Sequence, residues 1–378
     1  MEELCAGQAG CMSAYSGRVG LVQRVLPAYR APFFDMLAEQ CLGGLSVIAG
    51  EPRPNEAIAA SRPLHKATVT RTRNLHLLSG PFYLCWQQGL IGWLKQWDPD
   101  ILIVEANSRY LSTPPAIRWM KQRSRPVIGW GLGALPLYGL LAKLRQSRRR
   151  AFLSQFDALI AYSQRGAQEY GALGFPHQRI YVAPNAVAPR PEGQRPQHAT
   201  ALDGKATLLY VGRLQARKRL NSLLHALAGL PKELQPRLQI VGDGPVRGEL
   251  EQLAVQIYPA AQFTGVQYGQ ALEELFVKAD LFVLPGTGGL AIQQALTHGL
   301  PLIVTEGDGS QKDLVTPANG WLLPAGDVAA LRDALSEALS DPARLRRMGA
   351  ESFRLAQEKF NLEAMVAGFV TALNEVCN

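Results

Sequence analysis

Short unbroken runs of Val, Ile and Leu, each followed by a stretch with helical spacing, recur along almost the whole chain. Such runs mark strands covered on both faces, which requires a parallel sheet with helices on either side. The expected strands are Val19–Val25, Leu45–Ala49, Ile101–Val104, Pro126–Gly129, Ala158–Tyr162 and Ile180–Val182. After a gap follow Thr207–Val211, Arg237–Val241, Gln262–Thr264, Leu281–Leu284 and Leu300–Val304. Between them, Leu250, Leu253, Ala254 and Ile257 repeat at i, i+3, i+4 and i+7 behind a helix-opening Pro245. Leu331, Leu335, Ala338 and Leu339 form a similar stripe. Strand–helix alternation of this kind predicts an α/β fold.

At 378 residues the chain exceeds what one hydrophobic core usually serves. The stretch 189–204, rich in proline, glycine and polar residues, is the natural linker. The expected organisation is a disordered leader over 1–16, a doubly wound domain over 17–188, the linker, and a second doubly wound domain over 205–359. A last helix over 360–378 is expected to return to the first domain. In such sheets ligands bind beyond the carboxyl ends of the strands, so the two sheets are expected to face each other across a cleft.

Composition narrows the classes. Five scattered cysteines without a CxxC pair argue against a disulfide framework or a zinc site and fit a reducing cytosol. The six histidines show no ligand spacing. No apolar run reaches the length of a spanning helix, and the first residues do not resemble a signal peptide. A net charge of +8 favours an anionic partner, whether phosphorylated ligand, lipid or nucleic acid. Nucleic acid is disfavoured, because no RNA-binding or helix-turn-helix signature accompanies the charge.

Two motifs carry the chemistry. In ADLFVLPGTGGLAIQQALTHGLP (279–301) an apolar strand runs into Gly286-Thr287-Gly288-Gly289 and directly into a helix. Glycines there let a backbone approach a ligand closely, and free amides at a helix start favour phosphate. A turn that merely needs glycine is the plain alternative. The second motif, YVGRLQARKR (210–219), places Gly212, Arg213 and Lys218 after the first strand beyond the linker. Two cations at that sheet edge would neutralise a diphosphate, with Arg213 offering a bidentate fork; a solvated basic loop is the alternative.

The order VGRL-x3-K, IVGDGP, FTG, DLFVLPG, ALTHGLP and NGWLLPAGD, over Leu208 to Phe360, resembles the GT-B retaining glycosyltransferases of the glycosyl transferases group 1 type. The first half is similar more loosely, through LPAYRAPFFDML, DPDILIVEANSR, IGWGLG and AYSQRGAQEY. The resemblance implies two Rossmann-like domains, a nucleotide-sugar donor, a glycan or lipid-linked acceptor, retention of configuration, and neither metal nor cofactor. It assigns Arg213 and Lys218 to the donor diphosphate and leaving group, and Gly288, Gly289 and Leu290 to amide contacts with phosphate or sugar. Gln294 falls where the family places a ribose-binding glutamate, and Gly286 where the first glutamate of its E-x7-E pattern sits. Glu306, Asp308 or Asp313, just past the next strand, are then expected to supply sugar contacts.

On the acceptor side, Glu105, Asn107 and Arg109 follow a buried strand, and Trp130 stands where members often carry a histidine. Trp130 either stacks on a ligand or packs in the core. Asp98-Pro99-Asp100 precedes a strand and is expected to be a turn. The segment Leu135–Phe156 combines Leu137, Leu140, Leu141, Leu144 and Phe152, expected on one side, with Lys143, Arg145, Arg148, Arg149 and Arg150. It suits either an anionic membrane surface or a docked helix with a solvated basic face. The sequence therefore leads to a cytoplasmic hexosyltransferase of polysaccharide or glycolipid assembly, peripheral on the inner membrane face. An epimerase of the same shape and a non-catalytic sugar-nucleotide-binding subunit stand as the alternatives.

Overall fold

The computed structural model describes residues 13–53, 56, 63–134, 137, 139, 141–196, 205–307 and 309–377. Two compact units emerge. The first runs to Tyr162 and takes in Ala167–Ala183 and the last helix from Met365; the second comprises Ser163–Gly166 and Pro184–Ala364.

In the first unit the strands are β1 (Val19–Val25), β2 (Leu45–Gly50), β3 (Thr68–Thr72), β4 (Asn74–Leu77), β5 (Leu84–Gln87), β6 (Ile101–Glu105), β7 (Val127–Gly131), β8 (Ala158–Ala161) and β9 (Ile180–Val182). Seven of them form one sheet ordered β3-β2-β1-β6-β7-β8-β9, parallel throughout. The antiparallel pair β4–β5 stands apart from it. The second unit holds β10 (Thr207–Val211), β11 (Arg237–Val241), β12 (Ala261–Gly265), β13 (Leu281–Leu284), β14 (Leu302–Thr305) and β15 (Gly320–Leu323). Their order is β12-β11-β10-β13-β14-β15, again all parallel. Strand order reverses between β1 and β6 and between β10 and β13, so the loops leaving those strands diverge and open a crevice beyond their carboxyl ends.

The continuous apolar runs are buried from end to end in β2, β8, β13 and β14. The Leu331 stripe lies in the helix Val328–Ser340, whose carboxylate cap is Asp327. Pro245 falls two residues before the helix Arg247–Ile257, which opens at Val246 instead. The last helix, Leu362–Cys377, joins the first unit's core, where Phe369 meets Phe33 and Trp130 at ring-centre distances of 4.9 and 5.0 Å.

Several expectations need correcting. The leader expected over 1–16 lies mostly outside the described residues, yet its end is structured: buried Tyr15 receives Leu42 N on its carbonyl and donates its own N–H to Gln40 O. The linker 189–204 is described only as far as 196. Strands β3, β4, β5 and β15 were not expected. Asp98 is a left-handed turn residue, as its place before β6 suggested, and its carboxylate takes Arg125 and Arg18. In the segment 135–156, residues 135, 136, 138 and 140 lie outside the described residues. The helix Ala142–Leu153 does not keep one apolar side: Phe152 enters the core, whereas Leu141 and Leu144 face solvent.

Candidate functional site

The crevice of the second unit is built from two loops that leave adjacent strands. From β10 the chain passes Gly212, whose N–H donates to Val241 O, and Arg213, exposed, with its carbonyl facing the buried Tyr210 hydroxyl at 3.4 Å. One 3-10 turn, Ala216–Lys218, follows before the helix Leu220–Ala228 begins. From β13 the chain passes Pro285 and the glycines into the helix Leu290–Thr297, which opens at Gly289.

The two loops are in contact. Lys218 Nζ donates to Thr287 O, Arg217 Nη1 donates to Thr287 Oγ1 at 2.9 Å, and Thr287 N donates to Arg217 O. Gly286 is buried against the same turn: a Cβ there would lie 2.4 Å from Arg217 O and 2.6 Å from Lys218 Cα. Any side chain would drive the loops apart, so the carboxylate that the family pattern puts at this position has no room. Gly288 has φ +145°, a region closed to most side chains, and its own Cβ would fall 2.5 Å from Lys218 Nζ. The amine of Lys218 therefore sits directly over the glycine backbone at the helix start.

A third loop completes the wall. Gln311, fully buried, donates from Nε2 to Gly288 O at 2.5 Å and accepts Gly309 N at Oε1. It joins the glycine loop to the loop after β14. The sequence offered no signal for this lone glutamine, whereas Arg217 was present inside the basic motif and passed over.

The remaining predicted residues lie around this centre with different engagements. Leu290 opens the helix. Gln294 is half-buried, while its neighbour Gln293 turns inward to Asn185 O. Glu306 forms an ion pair with Lys312 at 2.9 Å. Asp313 accepts Gln164 N at 2.6 Å; burial pushes its carboxyl above the usual range against the opposing pull of the Gln164 and Arg165 amides. Neither carboxylate is directed to the Lys218 centre by these contacts. Asp308 lies outside the described residues.

In the first unit, Glu105, Asn107, Arg109 and Trp130 line one cavity of about 360 Å³ together with Tyr110, Gly131, Arg149 and Tyr162. It lies at the carboxyl ends of β6 and β7. Glu105 Oε2 accepts Arg24 N at 2.8 Å, and burial raises its carboxyl pKa against the pull of that amide and the Arg24 charge. Trp130 is core: it is 1% exposed, contacts Phe33, Tyr162 and Phe369, and carries the Arg30 guanidinium 5.0 Å from its ring centre. Its indole Nε1 has no hydrogen-bond partner among the described residues.

The model of a family described as Glycosyl transferases group 1 matches residues 194–354, and that of Glycosyltransferase Family 4 matches residues 45–190. A GDP-mannose-dependent alpha-mannosyltransferase of Mycobacterium tuberculosis is 40% identical over 129 residues, 33% of this chain and 32% of that protein. One of the same description from Mycolicibacterium smegmatis is 27% identical over 250 residues, 62% of this chain and 63% of that one. The matches thus span less than two thirds of these relatives' length. Among solved structures, Anabaena Alr3699/HepE in complex with UDP superposes with a TM-score of 0.71 at 15% identity, covering 95% of this chain and 99% of that one. Sucrose-phosphate synthase from Thermosynechococcus elongatus gives 0.70 at 18% identity, with the same coverage.

Proposed function

We propose that this chain, whose residues 194–354 match the Glycosyl transferases group 1 model and whose residues 45–190 match the Glycosyltransferase Family 4 model, moves a hexosyl group from a nucleotide-sugar donor to a glycan or lipid-linked acceptor. The observation that carries the reading is the Lys218 amine held over the Gly288–Gly289 backbone at the point where strand order reverses. A diphosphate there meets a fixed ammonium, the neighbouring Arg213 and Arg217 side chains, and the amides that open the helix Leu290–Thr297. As the sugar–phosphate bond breaks, charge grows on the leaving oxygens, and these groups stabilise it without reorganising. In this reading that stabilisation needs neither metal nor cofactor, and the incoming hydroxyl attacks from the leaving-group face with retention. Gln294 takes the ribose through its amide, and Leu290, Glu306 and Asp313 border the sugar. The Glu105–Asn107–Arg109 cavity, with Trp130 as its floor, receives the acceptor. The helix Ala142–Leu153, with Lys143, Arg145 and Arg148 exposed, favours an anionic membrane surface and hence a peripheral place on the inner face. No described helix is long and apolar enough to cross a membrane.

The closed space at Gly286 also favours a second reading, a sugar-nucleotide-binding subunit without turnover, since one family carboxylate is sterically excluded. A thermal-shift panel of UDP-, GDP- and ADP-sugars without added metal separates them. The relatives named for GDP-mannose and the neighbour holding UDP make both bases obligatory members of the panel. A rise with one sugar nucleotide followed by turnover with a lipid or glycan acceptor supports the enzyme. Binding without turnover supports the subunit, and no shift with any nucleotide overturns both.

A further inference from the structure

The hairpin β4–β5 is built inside out. Its register pairs Asn74 with Gln87, Leu75 with Trp86, His76 with Cys85 and Leu77 with Leu84. Alternation along a strand puts Asn74, His76, Cys85 and Gln87 on one face and Leu75, Leu77, Leu84 and Trp86 on the other. The polar face is the inner one. Asn74 Nδ2 donates to Arg24 O and Glu51 O, Gln87 Nε2 donates to Gln23 O, and His76 bonds the Tyr83 hydroxyl. The apolar face is left to solvent, and at the tip Leu78 and Phe82 are 69% and 74% exposed. A hairpin on a soluble sheet normally has the opposite pattern, hydrophobic in and polar out. An exposed apolar patch of this kind marks an interaction surface.

The charge around it identifies the partner. Residues 57–97, which include the hairpin, contain no aspartate or glutamate, and neither do residues 106–156. Exposed Arg71 and Arg73 lead into β4. Exposed Arg109 borders β5, where Cys85 N donates to Arg109 O and Leu111 N donates to Cys85 O. Arg109 also lines the cavity of the first unit together with Arg149 of the helix Ala142–Leu153. The arginines thus flank the base and one edge of the hairpin, and Arg109 links that edge to the cavity.

We propose that the outward face of this hairpin seats the protein on an anionic lipid bilayer, with Leu77, Leu78, Phe82 and Trp86 entering the interface and Arg71, Arg73 and Arg109 meeting headgroup phosphates. Aromatic and leucine side chains beside arginines match the layered polarity of such a surface, in which the apolar groups sink below the charged plane. A protein partner is the competing occupant; exposed Arg71, Arg73 and Arg109 outnumber exposed Glu51 beside β4, and that excess of positive charge favours phosphate groups over a protein surface of mixed charge. The proposal does not depend on sugar transfer, because bilayer attachment is measured without donor or acceptor.

The test is co-sedimentation of the full chain with vesicles of phosphatidylglycerol and phosphatidylcholine, against phosphatidylcholine alone. Binding is expected only with the anionic lipid, and Leu77→Ser with Phe82→Ser should weaken it at least tenfold while thermal unfolding stays unchanged. Brominated lipids should quench the wild-type tryptophan emission, and Trp86→Phe should remove most of that quenching. Equal binding by the double variant, equal quenching in Trp86→Phe, or a concentration-dependent dimer that ignores vesicles would each overturn the proposal. Neutralising the arginines of the helix Ala142–Leu153 with the hairpin intact must leave the bromolipid quenching by Trp86 in place; if it vanishes, that helix and not the hairpin is the anchor.

Discussion

Replacing Gly286 tests how the crevice beyond β10 and β13 is held together. The added methyl of Gly286→Ala would lie 2.4 Å from Arg217 O and 2.6 Å from Lys218 C and Cα. All three are main-chain atoms, so no side-chain rotation relieves the contact. The loops must separate, and the Lys218–Thr287 and Arg217–Thr287 bonds stretch with them. Overpacking a tight site by a methyl costs about 1–3 kcal/mol. For a domain of this size about 1 kcal/mol corresponds to roughly 2–4 °C in Tm, so a fall of about 2–12 °C is expected. Gly286→Glu, which restores the carboxylate of the family pattern, should be worse than Gly286→Ala and should weaken donor binding, because the larger group moves Lys218 off the glycine backbone. Differential scanning fluorimetry with and without the sugar nucleotide reads both effects. A Gly286→Ala protein as stable as wild type, or a Gly286→Glu protein that binds donor more tightly, refutes the claim that backbone contact shapes this loop.

Other expectations follow from the same geometry. Lys218→Ala should remove turnover in a protein that still unfolds cooperatively; retained activity in a coupled nucleotide-release assay would place the diphosphate elsewhere. Gln294→Glu should keep nucleotide binding by isothermal titration calorimetry, and complete loss would mean the ribose lies away from this helix. For Glu56, burial works to raise the carboxyl pKa, but hydrogen bonds and charge from Arg24 and Arg53 prevail and hold it at about 2 in place of 4.5. A depressed carboxylate stabilises the fold above its unfolded pKa and loses that contribution as pH falls through the folded value. Glu56→Gln should thus cost on the order of 3 kcal/mol at neutral pH, with the deficit fading between about pH 4.5 and 2 in urea titrations. A deficit independent of pH would show that the loss is packing and not charge.

The strands legible in the sequence are those covered on both faces, since only there does burial demand an unbroken apolar run. β13, read as Leu281–Leu284 from LFVL alone, is the clearest example. β3, with the sequence TVTRT at the sheet edge, is mostly exposed and so carries no such run. The hairpin escaped because its alternation is inverted: polar residues make the inward contacts, and periodicity cannot tell which face is inside. The crevice beyond β10 and β13 was legible as two separate loops, because strand ends and glycines leave local marks. Their contact was not, since the reason for Gly286 is the backbone of Arg217 and Lys218, almost seventy residues away in the chain. Gln311 was invisible for the same reason. Asp313 was read as a sugar ligand by its place in a pattern, and its hydrogen bond to Gln164 N is a tertiary fact that the pattern does not contain.

The position of Phe369 against Phe33 and Trp130 bears on how the molecule is made. The sheet of the first unit is complete in sequence at Val182, yet the aromatic cluster beneath it closes only when the last helix arrives. At about 5–20 residues per second of synthesis, the ribosome spends on the order of 10–40 s on the second unit while the first waits with that cluster uncovered. The second unit, continuous from Pro184 to Ala364 apart from four residues, has no such delay. Nascent chains stalled just before Met365 should then present a proteolysis-sensitive first unit beside a resistant second one, so that the half begun first is the half finished last.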